Sequence, residues 1–174
     1  MLDSLHIQKI TVKESQELAH FSASTFYETF ASYNTKEDMD QYILEKCSKE
    51  KLADELSDAN NHFFFARMNS EIVGYIKLRT SVFPLELETK NCIEIERIYV
   101  AAAFHGKKIG AQLMQFCLNY GKERNFSILW LAVWEHNSKA YEFYKKWGFE
   151  KFGDHIFILG KDKQNDILLK KALF

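Results

Sequence analysis

Between Cys92 and Val133 the chain spells out strand, short turn, helix and strand, and this order constrains the fold more than any other feature. Cys92-Ile-Glu-Ile-Glu-Arg-Ile-Tyr-Val is rich in β-branched residues and alternates in polarity, which predicts a strand. From Ile109 the apolar positions Ile109, Leu113, Phe116, Cys117 and Tyr120 lie on one face of a helix. Ser127-Ile-Leu-Trp-Leu-Ala-Val is a near-continuous apolar run, as expected of a strand buried on both faces. A crossover helix between two strands of one sheet makes them parallel.

The rest of the chain adds antiparallel pieces to that unit. His62-Phe-Phe-Phe-Ala-Arg-Met, the polar tip Asn69-Ser70-Glu71 and Ile72-Val-Gly-Tyr-Ile-Lys-Leu read as a β-hairpin. Two closing strands are expected near Phe149–Leu159 and Asp166–Leu173. Helical periodicity covers residues 14–33, with Ser15 as N-cap, and further helices are expected around Asp38–Cys47 and Lys49–Leu56. Asn137 can cap a short helix, Ser138–Trp147, which Gly148 is placed to end. The sum is an α/β fold, a mixed sheet sandwiched by helices.

At 174 residues, 47% of them hydrophobic, the chain can bury one sizeable core, and with a single proline and no linker it reads as one domain, residues 1–174. A net charge of -1 offers no field to attract nucleic acid or an anionic membrane. The balance is uneven along the chain: residues 1–60 hold 12 Asp/Glu and 6 Lys, and the remainder 12 Asp/Glu and 17 Lys/Arg. Solubility alone produces such splits. A cationic partner in front and an anionic one behind would also produce it.

Cys47, Cys92 and Cys117 are too scattered for a disulfide framework or a CxxC metal site, and the six histidines have no ligand spacing. Cys117 lies on the apolar helix stripe, as a core residue would. No signal peptide or apolar run of the ~18 residues needed for a membrane span is present, so a cytoplasmic protein with no membrane partner and no metal is expected.

The turn Ala-Ala-Ala-Phe-His-Gly-Lys-Lys-Ile-Gly-Ala leads from strand to helix, where free backbone N–H groups can meet an anion. Many strand–helix units carry glycine there for packing alone. The turn nevertheless resembles the cofactor motif of the GNAT superfamily, Gln/Arg-x-x-Gly-x-Gly/Ala after a strand ending in Val, through Val100, His105, Lys108 and Gly110. His105 and Lys108 depart from the pattern, and a lysine in place of the first glycine restricts φ > 0.

Downstream, Asn137-Ser-Lys-Ala140-Tyr-Glu-Phe143-Tyr144-Lys-Lys-Trp-Gly148-Phe149 resembles the second GNAT signature at every position. The resemblance spans about residues 62–150. Glu94–Val100, Trp130–Asn137 and the Phe26–Phe30 helix look like the PaiA branch, whose members resemble spermidine/spermine acetyltransferases.

That resemblance implies a mostly antiparallel sheet of about seven strands, splayed between the Glu94 and Trp130 strands, with helices on both faces. It implies acetyl-CoA as cofactor, bound by Ile98, Tyr99 and Val100 on the strand, by His105, Gly106, Lys107, Lys108, Ile109, Gly110 and Ala111 at the turn, and by Asn137, Lys139, Ala140, Tyr144 and Lys146 beyond. Unpaired backbone groups of Ile98 and Val100 would hold the cofactor's amide-bearing arm.

The implied reaction is direct acetyl transfer to a primary amine, foremost a polyamine, catalysed by Tyr144, Glu96 and Glu94. Glu94 and Glu96, two apart on one strand, share a face. By resemblance one of them takes the ammonium proton through water, with Glu96 favoured. Tyr144, a phenol with an ordinary pKa of about 10, suits protonation of a leaving thiolate, although a core tyrosine would occupy the same helical position.

Phe26, Tyr27, Glu28 and Tyr33 are candidates for the acceptor pocket, and Glu28, Glu37, Asp38 and Asp40 for contacting a cationic acceptor. An aromatic stripe at this spacing also suits a core. Acetylation of a protein N-terminus or lysine, and a non-catalytic acetyl-CoA-binding regulator, are the rival readings. A homodimer is left open.

Overall fold

The computed structural model describes residues 4–88, 90–159 and 161–174. A seven-stranded, mostly antiparallel sheet carries helices on both faces. In chain order the elements are β1 (His6–Lys9), α1 (Ser15–Phe30), α2 (Lys36–Lys46), α3 (Lys49–Ser57), β2 (Asn61–Met68), β3 (Glu71–Arg79), β4 (Cys92–Val100), α4 (Ile109–Glu123), β5 (Ile128–Trp134), α5 (Ser138–Lys146), β6 (Glu150–Leu159) and β7 (Asp162–Ala172). The strand order is β1-β2-β3-β4-β5-β7-β6. Only β4 and β5 run parallel, as their crossover helix requires.

The hairpin tip is tighter than the sequence suggests. Asn69 and Ser70 both have positive φ, 49° and 69°, so a two-residue turn matches the twist of the strands and Glu71 already belongs to β3. Strand β1 carries too little apolar alternation to stand out, and it pairs with the edge of β2. At α1 the expectation for Ser15 is corrected. It is the first helical residue, and the chain enters through a 3-10 turn, Val12–Glu14, where Thr11 N–H donates to the Glu14 carboxylate at 2.9 Å.

Elsewhere the helix ends follow their cap chemistry. Thr35 and Ser48 accept from Asp38 N–H and Lys51 N–H at the starts of α2 and α3. Asn137 accepts from Ala140 N–H at 3.2 Å to start α5. Gly148, with φ +80°, closes that helix, and Phe149 N–H reaches back to the Tyr144 carbonyl.

On one face of the sheet α4 and α5 cover a core of Ile93, Ile95, Leu113, Cys117, Leu131 and Phe149. On the other face α1 and α3 cover Phe63, Phe65 and Tyr75, while α1, α2 and β6 join at Phe26, Met39 and Leu159. The second face is not fully roofed. Ala132, inside the apolar run expected to be buried on both sides, is exposed, and it floors an open groove.

Two irregularities in β4 shape that groove. Lys77 pairs with Arg97 but Leu78 with Ile95, so Glu96 is an inserted bulge residue. Strict alternation would have put Arg97 on the α4 side with Ile93 and Ile95. The bulge instead sends Ile98 to the α4 side and keeps Glu94, Glu96 and Arg97 together on the groove side. Pairing of β4 to β5 stops after three residue pairs, the last being Glu94 with Trp130, and the strands splay beyond it.

Gly74 permits β3 to lie close to the splayed end of β4, since a Cβ there would meet the Tyr99 carbonyl oxygen at 2.7 Å. Gly74→Ala should destabilise the protein by about 1–3 kcal/mol through forced backbone displacement. Urea unfolding of both proteins measures it; an unchanged midpoint would mean that β4 moves freely.

Candidate active site

Three helices begin on a Thr, Ser or Asn side chain, and α4 does not. Its N-cap is Lys108, held in the left-handed region at φ 61° with no capping side chain. That conformation costs a non-glycine residue about 1 kcal/mol, so the departure from glycine is tolerated under strain rather than by a change of geometry. Gly106 before it has φ +80°. Among the described residues the N–H groups of Gly106, Lys108, Ile109, Gly110 and Ala111 have no hydrogen-bond partner. An uncapped helix start with convergent free N–H groups fits a pyrophosphate.

The turn is braced from both sides. His105 donates from Nε2 to the Val100 carbonyl at 2.9 Å, since a carbonyl can only accept. The expectation of an unpaired Val100 is thereby corrected for its carbonyl. On the other side Ala102 N–H donates to the Glu28 carboxylate at 3.0 Å. Glu28, expected at the acceptor, therefore ties α1 to the cofactor turn. Lys107 places its Nζ over the Phe104 ring at 4.5 Å, and Lys107, Lys108, Lys139 and Lys146 are all exposed.

Tyr144 projects from α5 into the core between Phe143 and Phe149. Burial holds its phenol well above the ordinary value, so it stays protonated at neutral pH. Its neighbour Phe143 packs toward the head of α4, 3.9 Å from where a Cβ on Gly110 would stand. The two signatures thus meet at the splayed end of β4: Ile98, Tyr99 and Val100 on the strand, residues 105–111 at the turn, and Asn137, Ala140 and Tyr144 on and before α5. Asn137 serves as helix cap and Ala140 packs in the core.

Across the sheet lies a groove of about 730 Å³. Its inner end holds a network of charged side chains, to which Lys51 adds a longer contact with Glu55 at 3.9 Å. Arg79 donates from Nε to Glu94 at 2.7 Å, and the same nitrogen lies 3.2 Å from Glu96. Lys77, itself buried, pairs with Glu96 at 2.7 Å and Glu55 at 2.9 Å. Arg97 reaches Glu55 and Glu96 at 3.3 Å each. Each of the three carboxylates has at least one cation beside it.

Their surroundings do not treat the two β4 glutamates alike. Burial pushes Glu94 up to about 7, with the charge of Glu96 adding to it and Arg79 pulling against it. Glu96 is equally burdened by burial, but Arg97, Lys77 and Arg79 hold it below the ordinary carboxylate range. Next to Glu94 the Trp130 indole lines the groove, and its buried Nε1–H has no partner among the described residues.

Of the acceptor candidates, Phe26 lines the groove. Tyr27 is exposed and outside it, and Tyr33 packs edge-on against Trp134 at an adjoining depression. Among the described acidic residues of the first sixty only Glu55 lines the groove. Asp38 instead binds Thr35 and Lys161 N–H, and Asp40 pairs with Lys36. Glu28, Asp38 and Asp40 are thus engaged within the fold, outside the groove.

At the outer end Asp166 is half-buried and makes no hydrogen bond or ion pair among the described residues. Burial and Glu135 push it up to about 6. Glu55, Lys77, Arg79, Trp130 and Asp166 escaped the sequence reading. A lysine inside the apolar run of β3 was the one available signal. No group of His, Cys, Asp or Glu among the described residues is arranged to hold a metal, and no helix among them is long and apolar enough to cross a membrane.

Residues 23–149 match the acetyltransferase (GNAT) family. An uncharacterised N-acetyltransferase encoded in the pepI 3′ region of Lactobacillus delbrueckii subsp. lactis is 37% identical over 172 residues, covering 99% of each chain. The spermidine N(1)-acetyltransferase of Thermoplasma acidophilum is 28% identical over 151 residues, 84% of this chain and 89% of that one. The crystal structure of the PaiA N-acetyltransferase from Thermoplasma acidophilum in complex with coenzyme A superimposes with a TM-score of 0.77 at 25% identity, covering 97% and 99% of the two chains. The uncapped α4 turn, the splayed parallel pair and these likenesses lead to one conclusion: the chain belongs to the GNAT family and is an acetyl-CoA-dependent N-acetyltransferase.

Proposed function

We propose that the enzyme acetylates a primary amine of a polyamine of the spermidine/spermine type by direct transfer, with Glu94 as the base and Tyr144 as the acid. The observation that carries this reading is Glu94: a buried carboxylate with a pKa of about 7, in the groove, at the last residue pair before the splay. Acetyl-CoA supplies the thioester acyl group from the α4 side. An amine in the groove meets it through the gap between β4 and β5.

An amine must shed its proton before it can attack, and a base poised near the working pH removes it best. Glu94 meets that condition. Glu96, the residue favoured from the sequence, stays ionised among its cations and is assigned the role of holding Arg79 and Lys77 in place. The open Trp130 Nε1–H is a donor for a water that relays the proton to Glu94. Tyr144, kept protonated by burial, gives its proton to the departing sulfur. A protein that only bound acetyl-CoA would need neither group.

The polyamine acceptor is supported by the likeness to a spermidine N(1)-acetyltransferase and by a groove walled with aromatic rings, which accept ammonium groups and methylene chains alike. Coenzyme A release should be observed with spermidine and spermine. Inert polyamines, with turnover of amino acids or peptides instead, would overturn this acceptor.

Because Glu94 must be ionised to act, kcat/KM should rise with pH through about 7. Glu94→Gln should lower kcat by roughly 10²–10⁴-fold and abolish that limb; a limb surviving in the variant would move the base elsewhere. Tyr144→Phe should lower kcat at least tenfold while the Kd for coenzyme A changes little, by about twofold or less. Equal losses in both would make Tyr144 a packing residue.

A further inference from the structure

The inner end of the acceptor groove is electrically closed, because Glu55, Glu94 and Glu96 are each paired with Lys77, Arg79 or Arg97. Of the carboxylates in the groove withdrawn from solvent, Asp166 alone lacks a partner among the described residues. It stands on β7, paired in register with Trp134 of β5 on one side and His155 of β6 on the other. Trp134 lines the same groove and continues into an adjoining depression with Tyr33, His136 and Gln164, so the channel runs on past Asp166.

Between the two ends the floor carries Trp130, Ala132 and Trp134. Ala132 is small enough to leave the channel open. Trp130, only 4% exposed, keeps its Nε1–H without a partner. A buried donor left unpaired is destabilising, and a ligand lying along the floor, with the water it brings, removes that cost.

Resting on the reading of a polyamine acceptor, we propose that Asp166 is a specificity-determining residue: it receives a second ammonium of the acceptor, against the face of Trp134, while the reacting amine lies at Glu94. The spacing agrees. Four residues along β5 at about 3.3 Å each, and two strand spacings of about 4.8 Å, put the Glu94 and Asp166 backbones roughly 16 Å apart. With both side chains reaching inward, the gap suits an extended triamine and is too long for a short diamine. A charge-assisted hydrogen bond and a cation–π contact then act together on the distal ammonium.

The test compares kcat/KM for spermidine, a graded series of diamines and propylamine in the wild type, Asp166→Asn and Asp166→Glu. The wild type should prefer spermidine and long diamines over propylamine. Asp166→Asn should reduce that preference at least tenfold, through KM and not kcat, as expected for loss of one charge-assisted bond. Asp166→Glu, which keeps the charge, should restore part of it. If Asp166→Asn depresses all amines alike, the residue is structural and the inference fails while the polyamine reading stands. If the wild type itself has no preference for polyamines, that reading and the inference fall together.

Discussion

Strands β4 and β5 hold together for three residue pairs and then part, and everything functional about this protein depends on that parting. A parallel pair left unzipped inside a sheet exposes backbone groups that elsewhere would be satisfied by the ladder. It is stable here because each strand is held on its other side, β4 by β3 and β5 by β7. The bulge at Glu96 adds local twist and turns Arg97 away from the α4 core. The gap connects two faces of the sheet: the uncapped start of α4 on one, an aromatic groove on the other.

The charges along the groove follow from the same geometry. Glu94, Glu96 and Arg97 share one face only because of the bulge, and β3 presents Lys77 and Arg79 beside them. Buried ions are costly unless paired, and every carboxylate of the network has a cation beside it. Pairing is uneven within it. Glu96 has three cations around it, whereas Glu94 relies mainly on Arg79, so two glutamates two residues apart reach different protonation behaviour.

A parallel logic separates α4 from α2, α3 and α5. Where a Thr, Ser or Asn precedes a helix, the side chain consumes a backbone donor. Lys108 consumes none, and its left-handed backbone leaves a run of donors converging on open space. His105 and Glu28 brace the turn from β4 and α1, so α1, which lines the groove through Phe26, is also attached to the turn that leads into α4.

Much of this was legible in the order of residues. The strand over Cys92–Val100, the start of α4 at Ile109, the Asn137 cap and the parallel crossover all follow from periodicity and cap chemistry, because these are local preferences repeated over many residues. The two GNAT signatures were equally local. What the sequence could not carry was any property that depends on a neighbour far along the chain: Lys77 and Arg79 standing beside Glu96 and Glu94, Glu28 accepting from Ala102 N–H, Asp166 facing the groove opened by Ala132. A glutamate's pKa is set by burial and by charges within a few ångströms, and those are decided only when the strands are laid side by side.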